Sequence, residues 1–336
     1  MKNILRELTD RIYDKLMDNN DKSHYHKHIV DYKTNLKGLI VFVNALKLAS
    51  AYTQPVIISK RFESGKIECG CAAFIILNAD GWILTASHVM KTLHLFQQQK
   101  IAHEDNERSR VAIQNDPNIN DKQKRRKISQ ILKDPNRITN IAFWWGHDGI
   151  QYSDIIGNDL LDLAVCKLTG APQISESSYP IFKNLPENLE YLPVGRSLCR
   201  LGFPFHEIHA TFDEQNGNFT LAPDTLPIPR FPNDGILTRG VWIINPNNQS
   251  KARFIETSTP GLRGQSGGPI FDVNGHIWGV QSKTINLPLG FSPTIKVNNK
   301  EVIEHQFLNV GLGVHAFEII KFLQENNIKI NISNDS

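Results

Sequence analysis

The stretch GLRGQSGGPIFD, residues Gly261 to Asp272, decides how this chain is read. A serine hydroxyl is a poor nucleophile until a base takes its proton, and the charge it creates on a carbonyl oxygen must be met by N–H donors. A glycine two residues before a serine lets the backbone turn, so that the N–H groups of both residues converge on one point. Gly264 and Ser266 stand at that spacing, and Gly267, Gly268 and Pro269 then lead into a strand. The segment therefore predicts Ser266 as a nucleophile, with the N–H groups of Gly264 and Ser266 as an oxyanion hole.

A nucleophile of this kind needs a base and a group to orient it. In GWILTASHVM, Gly81 to Met90, an apolar strand ends in small residues and delivers His88, whose imidazole titrates near neutrality. In DLLDLAVCKL, Asp159 to Leu168, the alternation of a strand places Leu161, Leu163 and Val165 on one face and Asp162 on the other. A carboxylate there can fix the tautomer of His88 and stabilise its imidazolium. Asp162 is preferred over Asp159 because it leads directly into Leu-Ala-Val, while Asp159 reads as a loop cap.

Around these motifs, short apolar runs such as VIIS, AAFII, DLAVCKL, GVWII and HIWGV alternate with turn signals at Asn78 to Gly81 and Asn274-Gly275. This is the texture of an all-β sandwich or barrel. Residues 1 to about 50 read as helical, since Ile4, Leu5, Leu8, Ile12 and Leu16 recur at spacings of three and four. Ala316 to Asn326 reads as an amphipathic closing helix. Residues 97–140 are polar and densely charged, with the run KQKRRK at Lys122 to Lys127, and predict an exposed insertion, helical or partly disordered. Phe205 to Pro232 predicts a long surface loop.

TASHV, DLAV and GQSGGP, in the order His, Asp, Ser, resemble the trypsin-like peptidase superfamily. Within it they look more like the bacterial branch and the protease domain of high-temperature-requirement proteases than the digestive enzymes. The order matches the chymotrypsin arrangement and not that of subtilisin. The string GQSGG also fits the G-x-S-x-G elbow of α/β-hydrolases, but that fold needs a helix straight after the serine, and Pro269 with FDVNGHIWGV argues for strand. The resemblance implies an all-β chymotrypsin fold of two six-stranded β-barrels. Barrel one would span 53–180 with the insertion 97–140, barrel two 187–314, and a closing helix 315–327 would complete a peptidase domain over 53–327, behind an N-terminal helical extension at 1–52. It implies a serine endopeptidase working through an acyl-enzyme. The competing reading is a non-catalytic protease-fold binding module that recognises a protein partner.

Departures from the family shape the expectations. Digestive enzymes carry an aspartate just before the nucleophile that pairs with a new N-terminus, and here that position is Gln265, so activation by zymogen cleavage is not expected. The residue six before the serine, which sets specificity in the family, is Pro260. With Arg263 and the opposing strand Gln281, Ser282 and Lys283 it is assigned to the substrate pocket, where Lys283 raises the idea of a polar or acidic residue before the scissile bond. The GFPF loop, Gly202 to Phe205, resembles the region that shapes the oxyanion hole and pocket.

The balance of 37 basic and 34 acidic residues gives no global field for nucleic acid or an anionic membrane. The basic run reads first as a solvated face. Four cysteines are too few for a disulfide framework and read as free thiols in a reducing compartment. No signal peptide or membrane span is recognisable, so the expectation is a bacterial, cytoplasmic protein without cofactor, with delivery into a host cell as an effector the other route. Its expected partners are a protein substrate and an activating protein, in a defence or stress role. His24, His26 and His28 alternate, yet nothing accompanies them as a fourth ligand, so no metal is assigned.

Overall fold

The computed structural model describes residues 41–131, 134–170, 174–297 and 300–334. The helical reading of the first 40 residues and the His24, His26 and His28 cluster lie outside the described residues. The chain divides into two compact units, Met1–Val43 and Asn44–Ser336, and the described elements belong almost wholly to the second.

Helix α1 (Val43–Tyr52) buries Ala45, Ala49 and Tyr52. Strands β1 (Thr53–Phe62), β2 (Ile67–Ile76) and β3 (Trp82–Ala86) follow. After two helices, α2 (Ser87–Asn115) and α3 (Asp121–Ser129), come β4 (Ile138–Trp144), β5 (Gln151–Asn158) and β6 (Leu163–Thr169). These six strands form one antiparallel sheet in the order β4-β1-β2-β3-β6-β5. Ile83 to Ala86 and Leu163 to Cys166 are buried without alternation, the pattern of strands covered on both faces.

The second sheet contains β7 (Ile181–Phe182), β8 (Ser197–Gly202), β11 (Phe231–Ile244), β12 (Lys251–Thr257), β13 (Pro269–Phe271), β14 (Ile277–Pro288), β17 (Phe307–His315) and β18 (Asn331–Ile332). Its order is β13-β8-β11-β12-β17-β14-β7-β18, and a further pairing of β13 with β14 closes six of these strands into a ring. Leu198, Leu237, Ile255, Ile270 and Trp278 fill its core. Helix α4 (Ala316–Glu325) packs Ile319, Phe322 and Leu323 inward. The mostly β architecture of two β units is that of a two-barrel chymotrypsin-like fold, and β13 directly after the nucleophile segment rules out the elbow helix of the α/β-hydrolase reading.

Two segments differ from their sequence expectation. The charged stretch 97–140 is largely exposed and helical, as expected, but it does not begin as a separate element: its first part is the outer length of α2, a 29-residue helix that begins at Ser87, and Ile138 to Asn140 already belong to β4. Only Ser87, Val89 and Met90 of α2 are buried, so the apolar periodicity that would betray the helix is confined to its first turn. The basic run lies in α3, whose start is fixed by a capping box between Asn120 and Gln123. Within Phe205 to Pro232, β9 (Ala210–Asp213) and β10 (Asn218–Leu221) pair as a hairpin, with Phe212 and Phe219 edge to face at 4.9 Å; β15 (Thr294–Val297) and β16 (Lys300–Ile303) form another antiparallel pair.

Candidate active site

The first turn of α2 leaves backbone N–H groups that its own carbonyls cannot satisfy, and its cap residue Ala86 has no side-chain acceptor. Asp162 supplies two acceptors. Its carbonyl takes the N–H of Ser87 at 3.0 Å, and its Oδ1 takes the N–H of His88 at 3.0 Å. The same carboxylate holds the His88 ring, with Nδ1 at 2.9 Å from Oδ2 and 3.1 Å from Oδ1. Asp162 is not part of strand β6, as the alternation predicted. It sits one residue before it with φ of 53°, a left-handed conformation that aspartate tolerates better than most residues.

Ser282 Oγ, from β14 of the second barrel, donates to Asp162 Oδ2 at 2.6 Å. Burial pushes the Asp162 carboxyl up, but the His88 ring, its charge, the Ser282 hydroxyl and the His88 backbone N–H together hold it below the usual aspartate value. Asp159 has a separate task, accepting from Ser87 Oγ at 2.9 Å and facing Lys91 at 3.2 Å.

Ser266 lies in a turn built almost wholly from backbone. Its carbonyl accepts from Ala73 N at 2.9 Å, which seats the turn on β2. Gly267 has φ of 81°, and a Cβ there would come 2.3 Å from both Ala73 O and Thr85 Oγ1. Gly264 has φ of 96°, and a Cβ there would meet Phe203 O at 2.3 Å. The carbonyl of Gly264 accepts from Phe203 N at 2.9 Å, so the GFPF loop packs directly on the turn. Gln265 is fully buried, its Oε1 taking the N–H of Leu262 at 2.9 Å and its Nε2 reaching Phe231 O at 3.4 Å. Among the described residues no hydrogen bond joins the Ser266 hydroxyl to His88.

Of the residues assigned to the pocket, Ser282 turns toward Asp162, and Arg263 is exposed. Lys283 is exposed as well, with Nζ 5.8 Å from the centre of the Phe254 ring. Gln281 is buried and accepts from Arg200 Nε at 2.7 Å. The Pro260 carbonyl accepts from Asn233 Nδ2 at 2.9 Å and from Arg200 Nη1 at 3.5 Å. Sequence reasoning missed the bond from Ser282 to Asp162 and missed Arg200 altogether. Neither carries a local signal, since a serine and an arginine in strands read as ordinary surface residues.

Cys69, Cys71, Cys166 and Cys199 are free thiols. Burial raises those of Cys71, Cys166 and Cys199 to about 12, which keeps them protonated and unreactive at neutral pH. Among the described residues no helix is long and apolar enough to cross a membrane.

The trypsin-like peptidase domain profile matches residues 71–280, a span that includes His88, Asp162 and Ser266 and exceeds half of the chain. The chain belongs to the trypsin-like peptidase domain family. Among solved structures it is similar to the Rv3671c protease from M. tuberculosis in its active form, with 13% identity, a TM-score of 0.45, and coverage of 87% of this chain and 88% of that one. An inactive serine-to-alanine form of that protease matches at 12% identity and a TM-score of 0.42, covering 85% of this chain and 91% of that one. Among curated proteins none matches.

Proposed function

We propose that this chain is a serine endopeptidase in which Ser266 attacks the substrate carbonyl, His88 moves the proton and Asp162 orients His88. With Nδ1 of His88 engaged by the carboxylate at 2.9 Å, Nε2 is the nitrogen left to take the serine proton and return it to the leaving amine. The N–H groups of Gly264 and Ser266 meet the oxyanion of the tetrahedral intermediate. The observation that carries the reading is the doubly anchored Asp162, bound by the ring and backbone of His88 from one side and by Ser282 from the other. A half-buried carboxylate held by several donors stays ionised beside the ring it orients. The contact between His88 and Ser266 is expected to tighten when substrate arrives, as catalytic hydrogen bonds do.

Control is proposed to come from a partner or from narrow substrate choice rather than from a cleaved N-terminus. Gln265 closes its own turn through Leu262 and Phe231 and presents no carboxylate for a new ammonium to find.

Labelling with a fluorophosphonate probe tests the reading. The wild type is expected to be modified at Ser266, and Ser266→Ala is expected to take no label. A wild-type protein that resists the probe in the presence of its protein partners, or an S266A protein that labels equally, overturns it.

A further inference from the structure

Arg200, on β8, is the one buried arginine among the described residues, with 1% of its surface exposed. Its guanidinium is pinned from two sides. Nε donates to Gln281 Oε1 at 2.7 Å, and Nη1 donates to Thr259 Oγ1 at 2.9 Å and to Pro260 O at 3.5 Å. Nη2 is buried and has no hydrogen-bond partner. No carboxylate of the described residues lies within ion-pair distance of Arg200, although buried acids elsewhere in this barrel each have an arginine: Glu256 with Arg239, Glu318 with Arg253, and Asp272 with Arg196.

An uncompensated buried cation is expensive, and such a group beside a reaction site is a candidate for meeting an anion there. Burial lowers the Arg200 pKa to about 10, so the group stays charged at neutral pH.

Its position says which anion. Thr259 and Pro260 open the segment that ends in Ser266, and Gln281 directly precedes Ser282, the residue that holds Asp162. On the proposed mechanism, the side chain of the residue before the scissile bond would lie against these two flanking segments. Glycines let the backbone close directly on these side chains, which fill the space themselves. A Cβ on Gly311 would come 2.3 Å from Arg200 Nη2, and a Cβ on Gly261 would come 2.1 Å from Gln281 Nε2. At the surface Thr284 Oγ1 donates to Gly261 O at 2.7 Å, and this bond and the packing around Nη2 would have to open for a substrate side chain to enter.

Resting on the peptidase reading, we propose that Arg200 is the specificity-determining residue of this site and selects substrates with glutamate or aspartate immediately before the scissile bond. The carboxylate would take the free N–H groups of Nη2 as a charge-assisted pair. Lys283, the cation expected from sequence, is exposed and lies over an aromatic ring instead.

The test uses peptidyl diaryl phosphonates, matched except for a Glu, Gln, Leu or Lys side chain at that position, alongside a fluorophosphonate without a side chain. Rates of Ser266 modification in the wild-type protein are the readout. The glutamate reagent is expected to exceed its glutamine counterpart by about 100-fold, the scale of a desolvated charge pair. Arg200→Gln is expected to bring that ratio close to one, with Arg200→Lys retaining part of it. If the fluorophosphonate labels Ser266 and the glutamate reagent is no faster than the glutamine, leucine or lysine reagents, the specificity proposal is overturned and the peptidase reading stands. If no reagent labels Ser266, the peptidase reading has failed and takes the proposal with it. Should R200Q not fold, the wild-type ratio decides alone.

Discussion

His88, in the first turn of α2, and Asp162, just before β6, are held by hydrogen bonds between side chains and the free end of a helix, whereas Ser266 sits in a turn of the second barrel built almost wholly from backbone. The first arrangement is electrostatic: a carboxylate satisfies the N–H groups of α2 and the His88 ring together. The second is steric: Gly264 and Gly267 adopt left-handed φ values at places where a Cβ would strike a backbone carbonyl at 2.3 Å. Proton transfer depends on charge and tautomer, and oxyanion binding depends on where two N–H groups point. On the proposed mechanism each half of the site is built from the kind of interaction its chemistry requires, and each should fail in its own way.

The largest effect is expected from Asp162→Asn. The amide keeps the shape of the side chain but presents a donor where His88 needs an acceptor, so the ring is driven to the wrong tautomer. Turnover of a peptide substrate is expected to fall about 10⁴-fold with little change in KM, measured by steady-state kinetics. A loss below tenfold would mean that the carboxylate serves α2 as a cap and not His88 as a partner.

Next comes Gly264→Ala, which attacks the steric half. The added methyl group must move Phe203 or the turn itself, turning one N–H away from the oxyanion. A loss of about 10²–10³-fold in kcat is expected, with the thermal melt showing whether the barrel stays folded. If instead KM rises and kcat holds, the glycine shapes the binding cleft and not the oxyanion hole.

The two halves were not equally legible in the sequence. GLRGQSGGP announces its turn because glycine and proline have few other reasons to cluster around a serine, and Asn274-Gly275 with the apolar runs disclosed the barrels. TASHV gave His88 but hid the helix that starts one residue earlier, since α2 is polar over all but its first turn. Asp162 was chosen on two grounds: it does lead directly into the Leu-Ala-Val of β6, but it lies before the strand in a left-handed conformation that no alternation encodes. Arg200 and Ser282 depend on contacts across 81 and 120 residues, and nothing local distinguishes them from other strand residues.

The second barrel also hides an electrostatic weakness. His315 is fully buried at the start of α4, where Nδ1 accepts from Phe317 N at 3.1 Å and Nε2 has no partner. Burial, helped by the Arg253 charge, lowers its pKa from 6.5 to about 4. The unfolded chain therefore binds a proton between pH 6.5 and about 4 that the folded chain refuses. Stability is full above that window and falls across it by about 3 kcal/mol from this residue. Urea denaturation at pH 7 and pH 4.5 should show a smaller loss for His315→Asn than for the wild type. Equal losses would place the acid sensitivity in the carboxylates.

The smallest effect is expected where the halves meet. Ser282→Ala removes the 2.6 Å bond from the second barrel to Asp162 and leaves both His88 contacts in place. A hydrogen bond to a charged group contributes about 1.5–3 kcal/mol, but solvent can enter the gap left by the hydroxyl, so a loss of about tenfold in kcat is expected. The direction of the pH profile is the sharper readout. The Ser282 bond draws on the negative charge of Asp162 and helps to hold its carboxyl below the usual value; without it the carboxylate stabilises the His88 imidazolium more strongly, so the acid limb of kcat should move to higher pH. An unchanged limb with an unchanged rate would mean that the two halves of the site are merely neighbours and that the charge on Asp162 is governed by the first sheet alone.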